Sequence, residues 1–237
     1  MIKHAIALAS LLGVVAGQAA AADLAAVPYA QATTVGAPWT GFHLGVAGGW
    51  GRGTSRQDQT GAPFGGVGDS GDFTQAGWIA GATVGYDWQF SNFTVGVEGD
   101  ISAADIDGNT SNGGCAGPVP CRTKITWLHT GRGRVGVAFG QFMPYITGGV
   151  AFAGLKATNF NTENSQPNGM WGAVVGGGLE WMFLPQWSAK AEYLFIPSFG
   201  TSTPSDLAGK LTERNVSLAR FGVNYHFGGD AAVTARY

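Results

Sequence analysis

From Gly41 to Phe227 the chain repeats one pattern. Large apolar residues fall at every second position, with small or polar residues between them. Strict alternation of this kind belongs to a strand with two unlike faces. The first such segment is Gly41 to Gly51, where Phe42, Leu44, Val46 and Trp50 share one face and His43, Gly45, Ala47 and Gly49 the other. Six more repeat it: Gly77–Trp88, Phe93–Ser102, Lys124–Phe139, Met170–Phe183, Trp187–Ile196 and Arg214–Phe227. An eighth, Met143–Leu155, is so rich in glycine that its faces cannot be assigned from pattern alone.

The connections between these segments alternate in length. Short ones fall at Gln89–Asn92, Gly140–Phe142 and Leu184–Gln186. Long ones run Arg52–Ala76, Ala103–Thr123, Lys156–Gly169 and Pro197–Glu213. Eight strands joined alternately by tight turns and long loops predict an all-β, eight-stranded antiparallel up-and-down barrel. Soluble and membrane barrels both alternate, so the chemistry of each face must choose between them. Here the bulky face carries Trp, Tyr, Phe and Val, while the other carries Gly, Thr and charges. That assignment suits a polar interior with the bulky face turned to lipid, and a closed sheet leaves no backbone edge bare in hydrocarbon.

Aromatic residues sharpen the prediction. Phe42, Trp88, Phe93, Phe139, Trp187 and Phe227 sit beside the short turns or the chain ends. Trp50, Trp78, Trp171 and Phe195 sit roughly one membrane thickness away along their strands, where a spanning strand needs about 9–11 residues. Two such girdles mark the two membrane interfaces.

Composition agrees. The chain has 237 residues, 40 of them Gly, and only 12% charged residues against about a quarter in a soluble domain. No basic patch points to nucleic acid, and no later apolar run is long enough for a spanning helix. Residues 1–22 read as a signal peptide: Lys3, an apolar run from Ala5 to Ala16, then Ala20-Ala21-Ala22 before Asp23. No cysteine follows that site to carry a lipid anchor. Residues 23–38 read as a periplasmic leader and 39–237 as the barrel domain. An exported chain meets an oxidising compartment, so Cys115 and Cys121 are expected to close a local loop as a disulfide, with metal binding the weaker alternative.

The predicted inner face carries candidate chemistry. Asp87, Glu98, Asp100, Glu180 and Glu192 oppose Arg132, Arg134, Lys190 and Arg220, with Lys124 near the outer rim. Counting equal depth from the turns pairs Glu98 with Arg134, Asp100 with Arg132, and Glu180 with Lys190. Such a set is either an ion-selective constriction or a salt-bridge network filling a narrow lumen. Eight strands leave room only for side chains, which favours the network.

Catalysis has a thinner basis. His43 and His226 are placed inward near the periplasmic end, and His129 at the outer rim, where a His129–Ser–Asp set is conceivable without fixed partners. Asp105 with Asp107, and Asp69 with Asp72, read as solvated loop residues rather than metal ligands. No phosphate-binding loop occurs, and no cofactor is expected.

Four stretches together resemble a known group: Trp39-Thr-Gly-Phe-His-Leu-Gly, Met143-Pro-Tyr-Ile-Thr-Gly-Gly-Val-Ala, Trp187-Ser-Ala-Lys-Ala-Glu-Tyr-Leu and Phe221-Gly-Val-Asn-Tyr-His-Phe-Gly. The chain is similar over about Trp39 to Tyr237 to the small outer-membrane barrels of alphaproteobacteria, the outer membrane immunogenic or porin-family proteins of the wider OmpA-like group. The resemblance implies an eight-stranded barrel in the cell outer membrane, surface-exposed loops, and structural or host-contact roles rather than one activity. Either Phe227 or terminal Tyr237 would serve as the aromatic assembly signal. The expected function is a structural, non-enzymatic barrel; a small-solute porin and a lipid- or peptide-directed enzyme are the alternatives. Expected partners are outer-membrane lipid and lipopolysaccharide, the barrel-assembly machinery, and an extracellular or host ligand met through the loops.

Overall fold

The computed structural model describes residues 39–59, 68–112, 120–159, 162–163, 168–202 and 209–227. They form β1 (Gly41–Gln59), β2 (Gly68–Asp69), β3 (Phe73–Phe90), β4 (Phe93–Thr110), β5 (Cys121–Val137), β6 (Phe142–Asn159), β7 (Thr162–Glu163), β8 (Asn168–Leu184), β9 (Trp187–Ile196), β10 (Gly200–Ser202) and β11 (Gly209–Phe227). There is no helix among the described residues. The eight long strands pair antiparallel, each with the next, and β11 pairs back onto β1. That last pairing closes the barrel.

The register fixes its shape. Stepping from Cα partner to Cα partner leads from Phe42 through Tyr86, Val97, Gly133, Gly148, Val175, Phe195 and Ser217 back to β1 at Arg52. The circuit returns ten residues further along the strand. With a rise of about 3.3 Å per residue and about 4.8 Å between strands, this stagger tilts the strands by about 40°. The backbone wall then lies about 8 Å from the axis, which side chains fill completely.

The alternation comes from sequence and shows directly in burial. On β9, Ser188, Lys190, Glu192, Leu194 and Ile196 are buried, while Trp187, Tyr193 and Phe195 face out. All ten girdle residues face outward: Phe42, Trp88, Phe93, Phe139, Trp187 and Phe227 at the turn end, and Trp50, Trp78, Trp171 and Phe195 at the other. β6 also gains its faces: Met143, Tyr145, Thr147, Ala151 and Ala153 point in, and Phe142, Ile146, Val150 and Phe152 point out.

Tight turns join the strands at one end. The β3–β4 hairpin turns at Ser91, whose φ of 56° suits a two-residue turn between twisted strands. The Gln89 side chain donates to the Ser91 carbonyl at 2.8 Å and holds that turn.

The structure corrects the predicted loops. Strands continue well past the outer girdle, with β1 reaching Gln59, β4 reaching Thr110, β5 starting at Cys121 and β11 at Gly209. Three short strands lengthen this collar, β2 on β1, β7 on β6 and β10 on β11. Cys121 opens β5, fully buried and disulfide-bonded; Cys115 lies outside the described residues, as do residues 1–38, expected to be signal peptide and leader, and residues 228–237.

Candidate functional site: the barrel lumen

Trp39 precedes the first strand and closes the turn end of the lumen. It is fully buried, its backbone N–H donates to Gln89 at 2.8 Å, and its indole N–H donates to the Gly140 carbonyl at 3.3 Å. Its ring meets His226 edge-on at 5.9 Å, and Met143, Met182 and Ala138 pack around it.

Above this cap lie the charges. All nine predicted lumen residues point inward and none exceeds 5% exposure. Two of the pairs that equal-depth counting gives are present, Glu98 with Arg134 at 3.6 Å and Asp100 with Arg132 at 3.3 Å, but neither is a pair of backbone neighbours and each side chain takes further partners. The Cα partner of Glu98 is Arg132, and that of Arg134 is Gly96. Arg132 donates to Glu98 and Glu192, both at 2.6 Å, and lies 3.3 Å from Asp100. Arg134 forks onto Asp87 and donates to Glu180 at 2.9 Å. Arg220 joins Glu192 at 2.6 Å and Asp100 at 3.2 Å. Glu180 and Lys190 are Cα partners as predicted, yet Lys190 reaches across the lumen to Glu98 at 2.7 Å instead.

The result is one connected web spanning β3, β4, β5, β8, β9 and β11. Five carboxylates meet four basic side chains, and His226 sits 3.4 Å from Glu180. Buried charges of this kind persist only when paired and hydrogen-bonded, and here every carboxylate has a cationic partner. Glycine on the inner face makes the room: a Cβ on Gly96 would strike the Asp87 carboxylate.

Further toward the long-loop end the chemistry changes. Ile79, Ile106, Ile125, Leu128, Leu155, Leu194, Ile196 and Leu218 fill the lumen, each at most 1% exposed. This overturns the expectation of a wholly polar interior. Two β-bulges help to build the layer. One, between Ile125 and Trp127 on β5, resets the inward parity of that strand, so that Ile125 points in beside Ile106, which keeps the parity of Glu98 and Asp100. It also turns Lys124 out of the lumen onto Asp105 at 2.8 Å, contrary to its predicted place.

A polar layer crowns the apolar one. The second bulge lies between Thr54 and Ser55 on β1, opposite Glu213–Asn215, and aims Glu213 inward while Arg214 faces out. Ser55 donates to Glu213 at 2.8 Å, Gln75 donates to its other oxygen, and Gln57 donates to Thr123 at 3.0 Å. Glu213 is fully buried with no cationic partner among the described residues, five positions beyond the Trp50 level of the outer girdle and so outside the spanning segment. Burial pushes its carboxyl up to about 8, with the two hydrogen bonds pulling the other way.

His129, for which a catalytic set is conceivable without fixed partners, faces outward, stacks on Trp127 at 4.7 Å, and its Nδ1 has no hydrogen-bond partner among the described residues. His43 and His226 lie inward at the capped end, 5.5 Å apart. Asp107 pairs with Arg122, and Asp69 and Asp72 with Arg56. No group of three metal-ligating side chains forms among the described residues.

The chain has relatives among known proteins. The chain is similar to the 31 kDa outer-membrane immunogenic protein of Brucella melitensis, 29% identical over 94% of this chain and 99% of that one. It is 30% identical to a 22 kDa outer membrane protein of Rhizobium leguminosarum, over 66% of this chain and 63% of the relative. Among solved structures, Neisserial surface protein A aligns with a TM-score of 0.47 at 11% identity, over 79% of this chain and 98% of that one. The family described as the outer membrane protein beta-barrel domain matches residues 7–227. The chain therefore belongs to that family, as a closed eight-stranded barrel of the outer membrane.

Proposed function

We propose that this protein is a non-conducting, non-enzymatic structural barrel that supports the outer envelope and presents its strand collar and loops for contact. One observation carries the reading: the lumen is filled along its length by packed side chains. Trp39 caps one end, paired charges fill the next layer, and a dry aliphatic layer lies beyond them. An ion crossing the membrane would have to leave water and pass that aliphatic layer, which is costly for a bare charge. Bilayer lipid, the barrel-assembly machinery and an external ligand on the collar are the partners this role requires.

Planar-bilayer recording tests it. Purified monomer is expected to give no stable unitary current. A stable channel whose selectivity changes when Arg132 and Arg134 are neutralised would replace the structural reading with a pore. The enzymatic alternative has less support, because the His129 Nδ1, where a triad carboxylate would orient the ring, has no hydrogen-bond partner among the described residues.

A further inference from the structure

The outer wall has a hollow where its neighbours carry bulk. On the lipid-facing side of β3, β4, β5 and β6, a cleft of about 500 Å³ opens among Val84, Ile101, His129 and Phe152. Its floor is Gly99 and Gly131. A Cβ on Gly131 would find its nearest neighbour, Val150 Cγ2, only at 4.0 Å, and one on Gly99 would find the Thr130 carbonyl at 3.7 Å. The hollow thus exists because side chains are missing there, and the fold does not require their absence.

Flat rings form its upper rim. Trp127 and His129 stack at 4.7 Å with 18° between their planes. Trp127 lies down against the wall because β6 offers Gly154 beneath it, where any Cβ would strike the indole. The bulge between Ile125 and Trp127 sets this ring level and sends Lys124 outward. Lys124 is the Cα partner of Lys156, so two ammonium groups stand on neighbouring strands above the rings. Like charges directly opposite repel. Asp105 answers Lys124, whereas Lys156 is exposed and has no ion-pair partner among the described residues. A chain-sized apolar cleft, then a ring platform at the interface, then paired cations just outside it, follows the order of groups in one class of lipid.

We propose that this face binds a lipopolysaccharide of the outer leaflet. An acyl chain lies in the cleft over Gly99 and Gly131, a sugar ring packs on the Trp127–His129 pair, and a sugar phosphate sits between Lys124 and Lys156. Charge complementarity and the flat ring platform favour a phosphosaccharide lipid over a glycerophospholipid, which offers phosphate but no sugar face. The inference rests on the outer-membrane orientation given above, with the strand collar on the outer side.

The test uses the full barrel refolded in phosphatidylcholine vesicles, where heat-modifiable migration on gels first establishes folding. Purified lipopolysaccharide is then titrated, and phosphatidylglycerol separately. Lys124→Ala/Lys156→Ala is expected to weaken lipopolysaccharide binding about tenfold or more, the scale of losing charge-assisted hydrogen bonds. Gly131→Leu, which fills the cleft without a clash, is expected to weaken it several-fold. Arg52→Ala, on β1 away from the cleft, is expected to leave it unchanged, and phosphatidylglycerol to bind weakly in every variant. Equal affinity in wild type and the lysine variant overturns the proposal. So does phosphatidylglycerol binding that matches lipopolysaccharide and shows the same variant pattern, which would give the cleft to glycerophospholipid. Failure of the wild-type chain to insert and fold would instead strike the barrel reading itself.

Discussion

The two halves of the lumen solve one problem with opposite chemistry. Both lie on the inner face of the same strands, and both are almost fully excluded from solvent. The half beside the turns is filled by Arg132, Arg134, Lys190 and Arg220 with their five carboxylates. The half toward the collar is filled by Ile79, Leu128, Leu194, Leu218 and their aliphatic neighbours. An eight-stranded barrel is too narrow for water-filled space, so either filling closes it. The difference lies in specification. An aliphatic layer tolerates rearrangement at fixed volume, whereas a charge web accepts only one set of partners. The web therefore ties β4 and β5 to β9 across the barrel through contacts that no strand pairing supplies.

That contrast predicts different failures, and the largest belongs to the charged half. Arg134→Met strands Asp87 and Glu180, both fully buried. Breaking one side of a buried ion pair costs about 3–5 kcal/mol. Urea titration in lipid vesicles, read by the heat-modifiable band, should show that loss. Recovery on neutralising Asp87 and Glu180 together with Arg134 would identify stranded charge as its cause. A loss below about 1 kcal/mol would mean that water reaches the web.

Truncation in the apolar half should cost less and behave differently. Leu128→Ala removes packing from a fully buried site, and such changes cost about 2–5 kcal/mol depending on how far the site collapses. No compensating charge substitution should rescue it. Current through the Leu128→Ala barrel should remain absent, since the charge web still fills the other half.

The sequence makes one half of this comparison far more legible than the other. All nine charges were assignable to the inner face, because a charge at the strand period among bulky apolar residues announces its side. The apolar half was hidden by two physical effects. Ile125 precedes a bulge that resets the parity of β5, so period-two counting places it on the wrong side, and Ile106, though in step with Glu98 and Asp100, lies beyond Ser102 in what reads as a loop. Thr54 to Gln59 has polar residues on both faces, and a strand without contrast between its faces reads as a loop. The pairing of charges is legible only in part, for a third reason: Glu98 with Arg134 and Asp100 with Arg132 do pair, while Lys190 leaves Glu180 for Glu98. In a tilted barrel a line of Cα partners climbs by ten residues per circuit, so equal depth is not adjacency. Contacts across the lumen, such as Arg132 with Glu192, lie beyond any neighbour count.

Glu213 tests the boundary where the apolar half meets the outer water. Its carboxyl is raised to about 8 by burial, above an ordinary value of 4.5. The native state therefore holds its proton more tightly than the unfolded chain. Between pH 4.5 and about 8 the native state carries more protons, and stability must fall as pH rises through that window. Glu213→Gln keeps a hydrogen-bonding group of the same shape toward Ser55 and cannot ionise. It should flatten that part of the pH profile and leave the variant more stable than wild type at pH 8 and above. A parallel profile in the two proteins would show that Glu213 is ionised in the folded barrel.

The smallest effect comes from the same ion-pair chemistry moved outside. Lys124 and Asp105 meet at 2.8 Å, as closely as the pairs of the lumen, but their side chains are 31% and 41% exposed. An exposed pair gains little, because water screens it and two long side chains must be held in place. Asp105→Asn should shift stability by no more than about 0.5 kcal/mol, and less in high salt. The corresponding change inside, Asp87→Asn, removes a carboxylate from the Arg134 fork and leaves a guanidinium buried with one acid fewer. Urea titrations of the two variants at low and high salt would separate distance from burial. If Asp105→Asn cost as much as Asp87→Asn, ion-pair geometry alone would set the energy, and the lumen would owe nothing to being dry. A large gap, insensitive to salt for Asp87, would assign the strength of the web to exclusion of water rather than to the closeness of its charges.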